Sequence, residues 1–186
     1  NISYQKKINS KFTVLYSGHF YDYKGVGTIL DAAKLLPNFN FNFLGGAQKD
    51  IQKLKKIISK LNLKNINLLG FVDFNKVPNY LFSADVLLLP PSNNHPSSKW
   101  TTPVKLGEYL ASQTPIICSD IPALKSFLNE EEVTFFEADN PISLVEKILW
   151  VKENQSKAKS KSINGLKKAI KMSYKIKTKE IIKLIN

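Results

Sequence analysis

A chain of 186 residues, 43% hydrophobic and 23% charged, has the size and composition of one globular domain with a sizeable core, which excludes a disordered chain. No apolar run approaches the roughly 20 residues of a membrane-spanning helix, and Asn1 to Lys7 do not read as a signal peptide, so the expected compartment is the cytoplasm, with peripheral contact at an anionic membrane face left open. The net charge of +12 is carried by lysine alone, since the chain contains no arginine, and it points to anionic partners: nucleic acid, acidic lipid or a phosphorylated small molecule. Residues 151–186 hold eleven lysines against two acids, Glu153 and Glu180, so most of the excess lies in one segment. The single cysteine, Cys118, can form no internal disulfide and reads as a small buried hydrophobe.

Residues 1–11 are polar and read as a linker into a single domain. Phe12–Ser17 is the first expected strand, and Lys24–Leu36 a helix that Pro37 closes. Phe39–Leu44 alternates apolar and polar before Gly45-Gly46, as a second strand should, and Asp50–Leu61 has the spacing of an amphipathic helix with a lysine-rich outer face. Ile66–Gly70 is a third strand, Asn75–Ser83 a short helix, and Asp85–Pro90 a continuous apolar run of the kind buried on both faces of a parallel sheet. After a Pro/Ser/Asn-rich loop come a helix entered through Thr101-Thr102-Pro103, a strand over Pro115–Asp120, a helix near Ala123–Leu128, a strand around Val133–Phe136 and a helix over Ile142–Trp150. The tail, 151–186, predicts two amphipathic helices interrupted near Asn164-Gly165 and again near Met172-Ser173, with Leu166, Ala169, Ile170, Ile181, Ile182 and Ile185 as the apolar face.

This alternation predicts an α/β domain, a Rossmann-like doubly wound parallel sheet of about six strands with helices on both faces. Ligands of such sheets bind beyond the C-terminal strand ends, which places Gly18-His19, Gly45-Gly46, Gly70-Phe71, Pro90–Thr102 and Ser119-Asp120 around any site. Thr101 or Thr102 can cap the helix that follows and Pro103 fits its first turn, so its exposed N–H groups are suited to an anion. Gly25-Val26-Gly27 invites comparison with a dinucleotide fingerprint, but Leu30 stands where the third glycine belongs. Gly25 is expected to allow close backbone approach at a helix start, and Gly27 to serve packing. His95 has no partner at ligand spacing, so no metal and no cofactor are expected, and His95 reads as a loop residue.

The stretch Thr101–Asp120, with Glu108, Ala111 and Pro115 in an x-Glu-x-x-Ala-x-x-x-Pro arrangement before a strand, resembles the nucleotide-sugar-binding segment of glycosyltransferase family 4, the retaining group-1 enzymes of GT-B fold. Ser17–Gly25 is similar to that family's first loop, Gly-Arg-x-x-x-x-Lys-Gly: Lys24 matches, and His19 stands in place of the arginine. Gly70-Phe71-Val72 is similar to the loop that meets the nucleobase. Trp100 occupies the position of the family's other glutamate, and Thr102-Pro103-Val104-Lys105-Leu106-Gly107-Glu108-Tyr109 looks like the variant with Ser/Thr-Pro-x-Lys-x-x-Glu-Tyr.

The resemblance implies the donor-binding half of a GT-B enzyme, with an acceptor-binding domain preceding it. It implies metal-independent, retaining transfer from a nucleoside-diphosphate sugar to a glycan or lipid-linked acceptor. Gly18, His19, Lys24 and the helix start at Thr101, Thr102, Pro103, Val104, Lys105 and Leu106 would meet the diphosphate, with Lys24 and Lys105 stabilising the leaving group. Glu108 would bind the ribose, and Gly70, Phe71 and Val72 the base. The alternative is a basic module for nucleic acid or an acidic surface driven by the lysine-rich tail, although that tail has neither arginine nor interleaved aromatics.

Overall fold

A computed structural model describes residues 11–100 and 105–171. Residues 1–10 of the expected linker, the cap residues Thr101 to Val104, and the tail positions beyond Lys171 lie outside the described residues. Six strands, β1 (Thr13–Gly18), β2 (Asn40–Gly45), β3 (Ile66–Gly70), β4 (Val86–Leu89), β5 (Ile116–Ser119) and β6 (Thr134–Phe136), form one sheet in the order β3-β2-β1-β4-β5-β6. Every neighbouring pair is parallel.

The helices α1 (Val26–Leu35), α2 (Gln48–Lys60), α3 (Val77–Ser83), α4 (Lys105–Ala111), α5 (Pro122–Lys125), α6 (Pro141–Glu153) and α7 (Gln155–Lys171) complete the alternation. Because successive strand residues point to opposite faces, the sheet carries two cores. Val14, Tyr16, Phe41, Phe43, Val86, Leu88, Ile117 and Phe136 pack with α1, α2 and α6, whereas Leu15, Leu44, Leu87, Cys118 and Phe135 pack with α3, α4 and α5. Val86, Leu87 and Leu88 are all 0% exposed, as a run buried on both faces requires.

Two local details close the framework. Asn65, ahead of β3, donates from Nδ2 to the carbonyls of Ala33 and Leu36, both at 3.0 Å, and so satisfies the end of α1. Thr114 donates to the Leu81 carbonyl at 2.9 Å, fixing the end of α3 to the start of β5.

The tail departs from the expected break. α7 runs unbroken through Asn164-Gly165, and the chain turns instead at Asn154, whose amide and side chain both donate to the Trp150 carbonyl. Gly165 is buried against α4, where a Cβ would lie 2.9 Å from Leu110 Cδ2, so this glycine serves close helix packing and not a helix end. The lysines of α7 are partly structural: Lys161 bonds Glu130 and the Val133 carbonyl, and Lys168 bonds Glu132 while lying over the Phe127 ring.

The two glycines at the start of α1 also separate. Gly25 has φ 74°, and a Cβ there would fall 1.7 Å from the Pro90 carbonyl oxygen, whereas Gly27 is exposed with open space around it and packs against nothing. Gly25→Ala is therefore expected to destabilise the domain by about 2–4 kcal/mol, combining a strained backbone with displacement of the segment after β4. Gly27→Ala is expected to stabilise it by about 0.5–1 kcal/mol through helix propensity. Urea denaturation of the two variants, read against the parent, checks both signs.

Candidate functional site

The order β3-β2-β1-β4-β5-β6 reverses its direction of growth between β1 and β4, and the loops leaving these two strands part to opposite faces. That switch point is where an open α/β sheet leaves a crevice for ligands. The end of β1 is fixed there by α4: the fully buried Tyr109 hydroxyl accepts the Ser17 N–H at 2.8 Å. Burial pushes the Tyr109 phenol well above its ordinary pKa, so it remains a neutral donor and acceptor.

Lys105 lies one turn earlier on the same helix face and donates from Nζ to Ser17 Oγ at 2.8 Å. Removal from water holds its pKa below the ordinary lysine value, against the opposing pull of the Glu108 carboxylate. A pocket of about 230 Å³ opens in front, lined by Ser17, Gly45, Phe71, Val72, Lys105 and Glu108 among others. It adjoins an apolar recess of about 270 Å³ between α3 and α4, with Glu108 on the shared rim. A larger cavity, about 520 Å³, lies at the opposite ends of β4 and β5, by Asp85 and Pro115, and none of the described residues expected to bind donor lines it.

The structure thus brings together Phe71, Val72, Lys105 and Glu108. Gly70, with φ 71°, turns the chain out of β3, and Phe71 beyond it is 84% exposed, so it is not the core aromatic that a strand-end Gly-Phe could have been. Gly18 ends β1 opposite Gly45. Leu106 is 1% exposed and belongs to the core, so it can offer a ligand only its backbone.

His19 and Lys24 lie apart from this pocket. Their rings and charges belong to a stacked column, His19 on Tyr21 at 5.2 Å, Tyr21 on Tyr23 at 5.6 Å and Tyr23 on His95 at 4.3 Å, with Lys24 Nζ 5.0 Å from the Tyr23 ring. His95 is more than a loop residue: its Nδ1 accepts the Ser97 N–H at 3.2 Å, and its ring joins the loops after β1 and β4. Sequence reasoning missed Ser17 and Tyr109 as parts of the site. The i, i+3, i+4 spacing of Lys105, Glu108 and Tyr109 was the available signal. No group of three or more His, Cys, Asp or Glu among the described residues is placed to hold a metal ion. No helix among them is long and apolar enough to cross a membrane.

Fold and crevice together define a Rossmann-like α/β domain of the kind that forms the C-terminal half of GT-B glycosyltransferases. The sequence agrees: residues 2–169 match the family described as glycosyl transferases group 1, and the chain belongs to that family. It is 29% identical over 161 residues to an uncharacterized glycosyltransferase, MJ1178, of Methanocaldococcus jannaschii, covering 86% of this chain and 44% of that protein. It is 25% identical over 181 residues to a processive diacylglycerol alpha-glucosyltransferase of Acholeplasma laidlawii, covering 92% of this chain and 51% of that protein. The chain spans about half the length of these two relatives. Among solved structures it superposes on the sucrose-phosphate synthase of Thermosynechococcus elongatus with a TM-score of 0.80 at 19% identity, covering 95% of this chain and 45% of that one. On the Anabaena protein Alr3699/HepE in complex with UDP the TM-score is 0.78 at 16% identity, covering 94% and 48%.

Lys105→Met is expected to leave the ligand-free fold as stable as the parent or more so, because it removes a charge that the folded state holds less favourably than water does. The folded protein binds the Lys105 proton less tightly than the unfolded chain, so this group's contribution to stability rises with pH between its lowered pKa and the ordinary value of 10.5. Thermal unfolding of parent and variant across the neutral to alkaline range checks the sign, since the variant should lack that rise.

Proposed function

We propose that this domain binds a nucleoside-diphosphate sugar and supplies the donor half of a retaining, metal-independent glycosyltransferase. The acceptor, glycan or lipid-linked, would be held by a preceding domain that faces the C-terminal strand ends. The observation that carries this reading is the presentation of Lys105 and Glu108 by one turn of α4 into one pocket at the switch point, opposite Phe71 and Val72. The UDP complex of the Anabaena neighbour supports it, with about half of that chain in common.

In this arrangement the Lys105 ammonium, already partly stripped of water and aimed by Ser17, meets the diphosphate. As the glycosidic bond breaks, the leaving diphosphate gains negative charge, and a fixed cation in a partly dry crevice stabilises that charge more than a solvated one would. Glu108 offers two carboxylate oxygens to the ribose hydroxyls, and the exposed Phe71 ring with the neighbouring backbone borders the base. Lys24, which lies outside the pocket beside the Tyr23 ring, supplies a second positive charge when it leaves that ring. His19 contributes less than either lysine, whose ammonium is a full point charge.

The nucleic-acid reading loses ground on one observation: two lysines of α7, Lys161 and Lys168, are engaged with Glu130 and Glu132 and hold the helix to the domain. A salt-titrated DNA-binding measurement is expected to show only weak, sequence-independent affinity.

Among UDP, GDP and ADP, at least one is expected to raise the melting temperature at millimolar concentration, because a ligand that binds only the folded state stabilises it by mass action. Lys24→Ala, Lys105→Ala and Glu108→Ala should each weaken the binding of that nucleotide by about 1–3 kcal/mol, the range for hydrogen bonds to charged groups. His19→Ala should cost less than either lysine substitution. Calorimetric titration decides it; a melting temperature indifferent to all three nucleotides would remove the donor assignment.

A further inference from the structure

The loop that leaves β4 flanks the switch point between the ends of β1 and β4, and its described part runs to Trp100. On its inner side it is tied to the β1–α1 loop, where the Ser92 N–H donates to the Tyr23 carbonyl at 3.0 Å and His95 stacks on Tyr23. On its outer side it is tied to a single carboxylate. Asp139, in the turn between β6 and α6, accepts through Oδ2 from the Asn93 N–H at 2.9 Å, from Ser92 Oγ at 3.1 Å and from Asn94 Nδ2 at 3.3 Å.

The turn that carries Asp139 is itself fixed from two directions. The Ala138 N–H donates to Asp120 Oδ1 at 3.0 Å, which anchors the turn to the end of β5. Asn140 caps α6, its Oδ1 accepting the N–H groups of Ile142 and Ser143 at 3.0 and 3.1 Å. Between these anchors Asp139 adopts φ 63°, a left-handed conformation that glycine takes freely and other L-residues adopt at a cost. An aspartate where glycine would relax the backbone is explained by what its carboxylate does: it gathers the donors of residues 92–94 from the adjoining loop.

We infer that Asp139 is a positioning residue for donor binding: through residues 92–94 it holds the described part of the loop after β4 against the β1–α1 loop, so that Lys24, beside Tyr23, meets the donor from a preset position. The inference rests on the donor-binding reading above, and touches the ligand only through the loop. Its logic is that a ligand which must first order a loop beside its site binds more weakly than one that finds the loop in place.

Two substitutions in the 186-residue chain test it. Asp139→Gly removes the carboxylate and the backbone cost together, so it separates loop positioning from turn formation. Asp139→Asn keeps one acceptor oxygen and tolerates the left-handed region. For Asp139→Gly the expected results are a roughly tenfold weaker dissociation constant for UDP, or for whichever of GDP and ADP the parent prefers, and faster tryptic cleavage after the exposed Lys99 without ligand. Asp139→Asn should recover part of both. A role confined to the turn would move the melting temperature and leave nucleotide affinity and Lys99 cleavage at parent values, and that result overturns the inference. If the parent itself binds none of the three nucleotides, the donor reading fails and this inference falls with it; parental binding with an unaffected Asp139→Gly removes this inference alone.

Discussion

The contact on which the site depends is the hydrogen bond from the Ser17 amide to the Tyr109 hydroxyl, spanning 92 residues of sequence inside a fully buried environment. Parallel strands leave their last backbone donors without a strand partner, and a buried amide left unpaired costs about 1–3 kcal/mol. Here the donor of β1 is satisfied by a side chain of α4. That choice joins the first strand to the fourth helix at the switch point, and the Lys105 contact one turn earlier completes a small polar network in an otherwise apolar junction.

From this junction the functional geometry follows by helix periodicity. Tyr109 fixes the rotation of α4 about its axis, Leu106 and Leu110 confirm it by packing in the core beneath, and Lys105 and Glu108 are left to face the crevice. A helix set by its buried residues presents its functional pair with little freedom to drift, which is what preorganised stabilisation of a developing charge requires. The same helix is backed by α7, where Gly165 allows the close approach to Leu110. The lysine-rich tail thereby contributes to the site's rigidity as well as to net charge.

Loop connections at the strand ends form the second layer of order. Gly25 allows the β1–α1 turn to lie against Pro90, the Tyr23–His95 stack joins the same two loops, and Asp139 and Asp120 carry the linkage across to β6 and β5. Each is a contact between segments distant in sequence. None follows from local periodicity, and together they join the described loops at the strand ends.

The sequence by itself determined the six strands, their alternation with helices and the parallel doubly wound sheet, because alternating burial and helical periodicity are written residue by residue. It also marked Lys105, Glu108, Phe71 and Val72, through the resemblance of their short motifs to the family's, and the structure gathers all four at one pocket. Tertiary structure decided what depends on distant partners. It ran α7 through Asn164-Gly165 because packing against Leu110 outweighs glycine's weak helix propensity, and it left Gly27 in open space although the sequence suggested packing. It drew His19 and Lys24 into an aromatic column outside the pocket that Lys105 lines, and it gave Tyr109, Tyr23, His95 and Asp139 their roles. A hydrogen bond or ring stack between residues tens of positions apart leaves no period in the chain; it exists only once the sheet has brought its strand ends together.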